Sequence, residues 1–444
     1  MLHPVTGGKQ EVLTAIKNAA DAFTQNNAVV QQKMREAFPD DAKREQVRQQ
    51  IIKNLNEAYT GASQETTDAR WFMPRTSMAG LAQSAMNNRA LQAAPPAAAA
   101  GPQAAAAAAP ALAPFEQFGP LDPGWIECVV DGFKTLLDGK AAFVQHRNLT
   151  DFLYAIPDQI TIALVADWGA DNDAARRVAK QIGANQPDMV IHLGDIYYAG
   201  QENEAEEALK IWPLADPGTG VIKPRTSFAL NGNHEMFCGG RAYFGTVFKA
   251  FGQEASYFGL RNANWQILAF DSAYIEHRLP PPDDTPDTRL NSQWNWLVDK
   301  MRNSKLATVL LSHHEPVSAF AQEQSDGAHL RQDFQKFLKA AGRPVFGWFF
   351  GHEHKCTFYD PPNVPYLGRL IGHGSIPHTP PPADQKPELG GVAFSAMNFR
   401  ANANGDAVSG FALLKFDGRN IDIRYIDEDG HLFKEEVWEA PLPG

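Results

Sequence analysis

The chain has 444 residues, enough on a soft prior of about 150 residues per domain for two or three units and at least one large core. Its 44% hydrophobic content is that of a globular protein, while a formal net charge of −11 and a sequence pI near 5.6 argue against a general nucleic-acid or anionic-membrane binder, which would show a basic face. Three scattered cysteines, Cys128, Cys238 and Cys356, cannot build a disulfide framework and point to a reducing compartment.

The first segment, MLHPVTGGKQEVLTAIKNAA, has neither a basic start followed by an apolar stretch nor a small-residue cleavage site, and no stretch is long and apolar enough to span a bilayer. A soluble, cytoplasmic protein is expected, with export that needs no cleavable signal left open. Apolar positions Val12, Ile16, Ala20 and Phe23 within residues 9–36, and Val47, Ile51, Leu55 and Ala58 within residues 41–59, follow helical spacing. They predict two amphipathic helices, a hairpin inside a helical N-terminal region spanning residues 1–90. Their charged faces read as solvated, with a protein partner the one further role open to them.

Residues 91–124 collapse to alanine and proline, where proline breaks any helix and no side chains can build a core, so a semi-extended linker is expected there. Residues 125–444 read as one domain. It opens on GWIECVVDGFKTLLDG, a candidate helix. From Asp158 onward ITIALVAD, DMVIHLGD, TSFALNGNHE, WQILAFDSA, ATVLLSHHEP and VFGWFFGHEH share one grammar, an apolar run closed at once by polar residues. The tail, GFALLKFDGRNIDIRYIDEDGHLFKEEVWEA, alternates around Asp-Gly turns and reads as antiparallel strands. The fold class that follows is α/β, with layered mixed β-sheets flanked by helices, preceded by the small helical region.

The polar groups at the strand ends are, in chain order, Asp167 with Gly169, Asp195 with Tyr198, Asn233 with His234, His313 with His314, and His352 with His354. In an extended segment residues i and i+2 share a side, so His352 and His354 can converge while Glu353 points away. Carboxylate, phenolate, amide oxygen and imidazole nitrogen together can fill two adjacent metal coordination spheres, and the same residues assemble neither a catalytic triad nor a glycine-rich phosphate loop. Two cations about 3.5–4 Å apart need a bridging ligand, which in this set a carboxylate does best. Asp195, in the tightest motif, is the bridging candidate.

This order of motifs, D-x-G, G-D-x-x-Y, G-N-H-E, a strand-end histidine and G-H-x-H, resembles the calcineurin-like metallophosphoesterases and specifically their purple acid phosphatase branch. The resemblance covers roughly residues 158–380. It implies Asp167, Tyr198 and His354 as ligands of one metal, Asn233, His313 and His352 as ligands of the other, and Asp195 as the bridge. It implies that His234 contacts the substrate phosphate and assists the leaving group. Gly169 stands where many relatives carry a ligating histidine, and Tyr198 can supply the missing donor; its phenolate implies Fe(III) paired with Fe(II), Zn(II) or Mn(II). The activity implied is hydrolysis of phosphate monoesters by a metal-bound hydroxide, with small phosphorylated molecules as substrates. Hydrolysis of nucleotide or lipid phosphodiesters is the alternative, and an adaptor role through the N-terminal helices is a third reading.

The His313–His314 doublet leaves the ligand ambiguous by one place, and the resemblance favours His313, which directly follows the apolar strand. His373 and His378 read as a surface loop, with the rim of the pocket as the alternative. Tyr197 and His192 read as core residues, and Cys238 and Cys356 as buried near the site rather than ligating. The proline-rich HRLPPPDDTPDTRL, from His277, can border the cleft.

Overall fold

The computed structural model describes residues 9–26, 28–64, 139–169, 173–197, 200–275, 278–282, 288–319, 328–376, 380, 392–403 and 405–442. The expected linker at 91–124, the candidate helix that follows it, Cys128, Tyr198, His277 and His378 lie outside them.

Among the described residues of the N-terminal region there are three helices where two were expected: α1 (Lys9–Gln25), α2 (Ala28–Ala37) and α3 (Asp41–Gln64). The single helix expected over residues 9–36 ends because Asn26 turns into the left-handed region at φ 49°, its N–H donating to the Phe23 carbonyl. Asparagine tolerates that conformation, and the apolar spacing simply resumes beyond it. Ile16, Phe23, Ile51 and Leu55 are buried where α1 packs on α3, and Arg48 ties the pair by donating to the Phe23 carbonyl at 2.6 Å.

Two mixed sheets follow. The six-stranded sheet orders its strands β14 (Leu432–Glu439), β13 (Asn420–Asp427), β12 (Gly410–Asp417), β2 (Gln159–Val165), β3 (Met189–His192) and β4 (Ser227–Ala229). Its β2, β3 and β4 run parallel, and the tail strands are antiparallel, as their Asp-Gly turns require. The eight-stranded sheet orders β1 (Leu153–Ala155), β5 (Phe258–Arg261), β6 (Trp265–Ala269), β7 (Ala307–Leu311), β8 (Gly347–Phe350), β10 (Leu367–Ile371), β9 (Cys356–Tyr359) and β11 (Ala396–Met397), with β6, β7, β8 and β10 parallel.

The two-residue period of the strands explains the layering. Ile162 and Leu164 of β2 face Val309 and Leu311 of β7 and Phe349 of β8 in the core between the sheets, while Ala163 and Val165 face outward. That outer face is covered by α4 (Asp173–Ala184) and α5 (Glu202–Lys210), whose Val178, Ile182, Ala205 and Ala208 are buried against it. On the other side Leu310, Trp348 and Phe350 meet α8 (Thr288–Arg302) and α9 (Ala328–Ala341) through Trp294, Leu297, Phe334 and Phe337. Two short helical turns, α6 (Asn233–Met236) and α7 (Phe248–Phe251), complete the chain order. Strands buried on both faces read as continuous apolar runs, which is why GWFF ends so abruptly where the polar residues begin. One buried cation joins the sheets: Arg369 of β10 donates to both carboxylate oxygens of Glu436 of β14, at 2.7 and 2.8 Å, beneath the Phe358 ring. Removing one partner of such a pair costs about 3–5 kcal/mol.

Two histidines make the fold acid-sensitive. His192, between Trp168 and Trp212, and His373, after β10, are buried, and burial pushes their pKa values down to about 3 and about 4. The unfolded chain therefore takes up their protons first as pH falls below about 6.5, and stability is lost from there towards the folded values. Each histidine is expected to cost about 2 kcal/mol between pH 7 and pH 5. Urea unfolding at both pH values checks this: His192→Gln should flatten the loss, and an unchanged slope would contradict it.

Candidate metal centre

Each parallel strand that carries a motif ends just before it. Asp167 follows β2, Asp195 follows β3, Asn233 follows β4, His313 and His314 follow β7, and His352 and His354 follow β8. Ligands of open α/β sheets sit beyond these carboxyl ends. The loops are stitched across the two sheets: Asp167 N–H donates to the Gly194 carbonyl at 3.0 Å, Gly351 N–H to the His313 carbonyl at 2.9 Å, and His352 N–H to Asp167 Oδ2 at 2.9 Å.

Three of these residues hold left-handed backbone conformations, with φ of 55° at Asp167, 60° at Asp195 and 70° at His352. Outside glycine this costs about 1–3 kcal/mol each and persists only where the surroundings over-determine it, most often at functional sites. The observed strain turns all three side chains into one buried space.

His313 Nδ1 lies 3.0 Å from the Leu193 carbonyl, which accepts its proton and so assigns the tautomer of the neutral ring. Nε2 is then a bare acceptor, yet it faces the Asn233 side-chain oxygen, another acceptor, at 2.9 Å. The same oxygen lies 3.0 Å from His352 Nδ1, and His313 Nε2 lies 3.4 Å from Asp195 Oδ2. Lone pairs gathered in this way are stabilised by a cation among them. On the other side Asp167 Oδ1 is fully buried without a hydrogen-bond partner, 3.6 Å from His354 Nε2. Burial pushes the Asp167 carboxyl well above the ordinary carboxylate range, and the neighbouring Asp195 charge pushes it further, an imbalance that a bound cation would relieve. Asp167, Asp195 and His313 form one potential metal-holding group and His313, His314 and His352 a second. The donor set therefore fits metal ions.

The structure brings together Asp167, Asp195, Asn233, His234, His313, His352 and His354; Tyr198 lies outside the described residues. His234 Nε2 lies 3.7 Å from Asp195 Oδ2, and its ring is tilted against that of Phe237, with centroids 4.6 Å apart. His314 differs from its neighbour in its partner: its Nδ1 meets Ser272 Oγ at 3.0 Å, and its ring packs 4.5 Å from that of His352. Glu353 turns away to Ser318 Oγ, and Tyr197, Cys238 and Cys356 are buried. His373 corrects the surface-loop reading, because the turn after β10 folds inward against the site, with Gly372 packed beside Asp167.

A side chain at position 169 would meet the backbone of Tyr197, whose carbonyl carbon lies 2.6 Å from an ideal Cβ, so only glycine fits the D-x-G motif here. Gly169→Ala should destabilise the protein by about 1–3 kcal/mol, read as a lowered urea midpoint, and an unchanged midpoint would show that the loop can yield. Gly232 is likewise required, since a Cβ would fall 2.1 Å from Asp195 Oδ1.

Residue patterns did not single out Glu235, Asp271 or Ser272. Asp271 takes the N–H groups of Ala273 and Tyr274 and faces Asn231, and Ser272 orients His314. The polar end of WQILAFDSA marked the place without naming the role. Burial, reinforced by the Asp195 charge, pushes Glu235 up to about 8. A third group, Asp427, Asp429 and His431, lies at the turn before β14, where Arg400 pairs with both carboxylates.

No helix among the described residues is long and apolar enough to cross a membrane. No curated protein matches the chain. Similar solved structures include GAP50, the anchor in the inner membrane complex of Plasmodium, at 11% identity over 64% of this chain and 90% of that one, with a TM-score of 0.48. PhoD follows at 11% identity over 68% and 71%, with a TM-score of 0.41. Yfce, a phosphoesterase from E. coli, matches at 11% identity over 62% and 98%, with a TM-score of 0.29. The family model for calcineurin-like phosphoesterases matches residues 160–356, the span that holds every motif from Asp167 to His354, and over that span the chain is similar to this family.

Proposed function

We propose that the protein hydrolyses phosphate monoesters at a dinuclear metal centre of the purple acid phosphatase type. The observation that carries the reading is the convergence of Asp167, Asp195, Asn233, His313, His352 and His354, from five strand ends of two sheets, on one buried space lined by facing lone pairs. Asp167 and His354, completed by Tyr198, would hold one ion; Asn233, His313 and His352 the other; Asp195 would bridge them. The close approach of Gly169 to the Tyr197 backbone supports this branch, because it bars a histidine there and leaves a donor to be found at Tyr198. That phenolate favours Fe(III), paired with Fe(II), Zn(II) or Mn(II).

When bound, the two cations acidify water and neutralise charge on the phosphoryl oxygens. The protein's own residues do the rest. Left-handed Asp167, Asp195 and His352 hold their donors ready, so little reorganisation is needed during reaction. His234, held against Phe237, binds the phosphate and gives the Nε2 proton to the departing oxygen. The expected substrate is a small phosphorylated molecule. The expected location is the cytoplasm, a reading supported by three scattered cysteines that build no disulfide framework.

Hydrolysis of an aryl phosphate monoester and the matching diester by metal-quantified protein tests the assignment. Preference for the monoester is expected. Preference for the diester would replace it with a phosphodiesterase.

A further inference from the structure

Glu235 is fully buried, and both of its oxygens are committed. Oε2 accepts the N–H of Asp195 at 2.9 Å and of Gly232 at 2.6 Å, and Oε1 accepts the N–H of Ile196 at 2.7 Å. These bonds go to the protein's own backbone and not to a reacting group. Its bonds instead join two loops. Within the turn Asn233–Met236 it is the third residue and reaches back to the N–H of Gly232, the residue before the turn, as the glutamate half of a capping box does. Across to the other loop it fills the concavity made by two successive N–H groups, those of Asp195 and Ile196, which is a backbone anion site occupied by an internal carboxylate.

The link is returned. His234 N–H donates to Asp195 Oδ1 at 3.0 Å, so each loop gives a carboxylate to the other's backbone. Asp195 sits at φ 60°, and with Oδ1 held by His234 its Oδ2 is left facing His313 Nε2. Without Glu235 three buried N–H groups, those of Asp195, Ile196 and Gly232, would lose this acceptor at about 1–3 kcal/mol each.

We propose that Glu235 is a positioning residue that fixes Asp195 relative to Asn233 and thereby sets the affinity for the cation held by Asn233, His313 and His352. The inference rests on the two-ion reading above. Glutamine at this position keeps the shape but presents an amide N–H to one of the three backbone donors, so the clamp is loosened rather than removed. Ligands supported through partners of this kind lose about 10–100-fold in metal affinity when the partner is changed.

Chelator competition with Zn(II) or Mn(II) as the probe, on the full chain, tests it with wild type, Glu235→Gln and Glu235→Asp side by side, thermal midpoints being recorded for each. The expected result is a loss of about 10–100-fold at one ion and less than about 3-fold at the other, with Glu235→Asp shifted in the same direction. Glu235→Asp carries the test should the glutamine variant not fold. Affinities unchanged at both ions in a folded variant would overturn the proposal, as would equal losses at both ions in step with a fallen midpoint, which would mark a purely structural role. A wild type that holds no ion would overturn the two-ion reading itself, an outcome distinct from the others.

Discussion

Asp195→Asn is expected to lower kcat/KM for an aryl phosphate by about 10³-fold, equivalent to about 4 kcal/mol of transition-state stabilisation, while leaving the fold intact. Asparagine is the same shape, and its oxygen can still accept the His234 N–H that Asp195 Oδ1 takes at 3.0 Å. What disappears is the charge at Oδ2. An amide nitrogen there would point a donor at His313 Nε2, 3.4 Å away, where a bridging anion is needed. Steady-state kinetics with elemental analysis of the same preparation checks both parts. Activity near wild type in a protein that has kept its metals would remove Asp195 from the centre of the mechanism.

The histidine doublet gives the second large effect. His313 is fixed at Nδ1 by the Leu193 carbonyl and presents Nε2 to Asn233 and Asp195, whereas His314 is tied at Nδ1 to Ser272 and lies against the His352 ring. His313→Ala should therefore lose one ion and about 10³-fold in kcat/KM, about 4 kcal/mol. His314→Ala should keep both ions and lose about 10–100-fold, as an orienting neighbour does. Metal content and kcat/KM for the pair decide it: loss of an ion from the His314 variant alone would reverse the assignment.

The doublet also shows where the sequence stops being informative. Its strand-end grammar is legible because β-strands buried on both faces must be apolar throughout, so the first polar residue marks the mouth of the sheet. Asp167, Asp195, Asn233, His352 and His354 all lie within four residues of such a strand end. Adjacent histidines just past a strand end are different, because which ring faces the site depends on distant partners, the Leu193 carbonyl for one and Ser272 for the other. Glu235 was legible as a letter of G-N-H-E but not as a clamp, since it acts entirely on backbone N–H groups that no residue pattern records. The N-terminal helices differ for a local reason: helical spacing runs on past Asn26, where a left-handed turn ends α1. His373 was misplaced because loop composition carries no sign of the inward turn after β10.

Activity should depend on metal ions held at this site. Protein stripped with a chelator and then titrated with Zn(II), Mn(II) or iron should bind two equivalents, and aryl phosphate hydrolysis should appear in step with them. Hydrolysis that persists undiminished in metal-free protein, or binding of two ions equally well by Asp195→Asn, would contradict it.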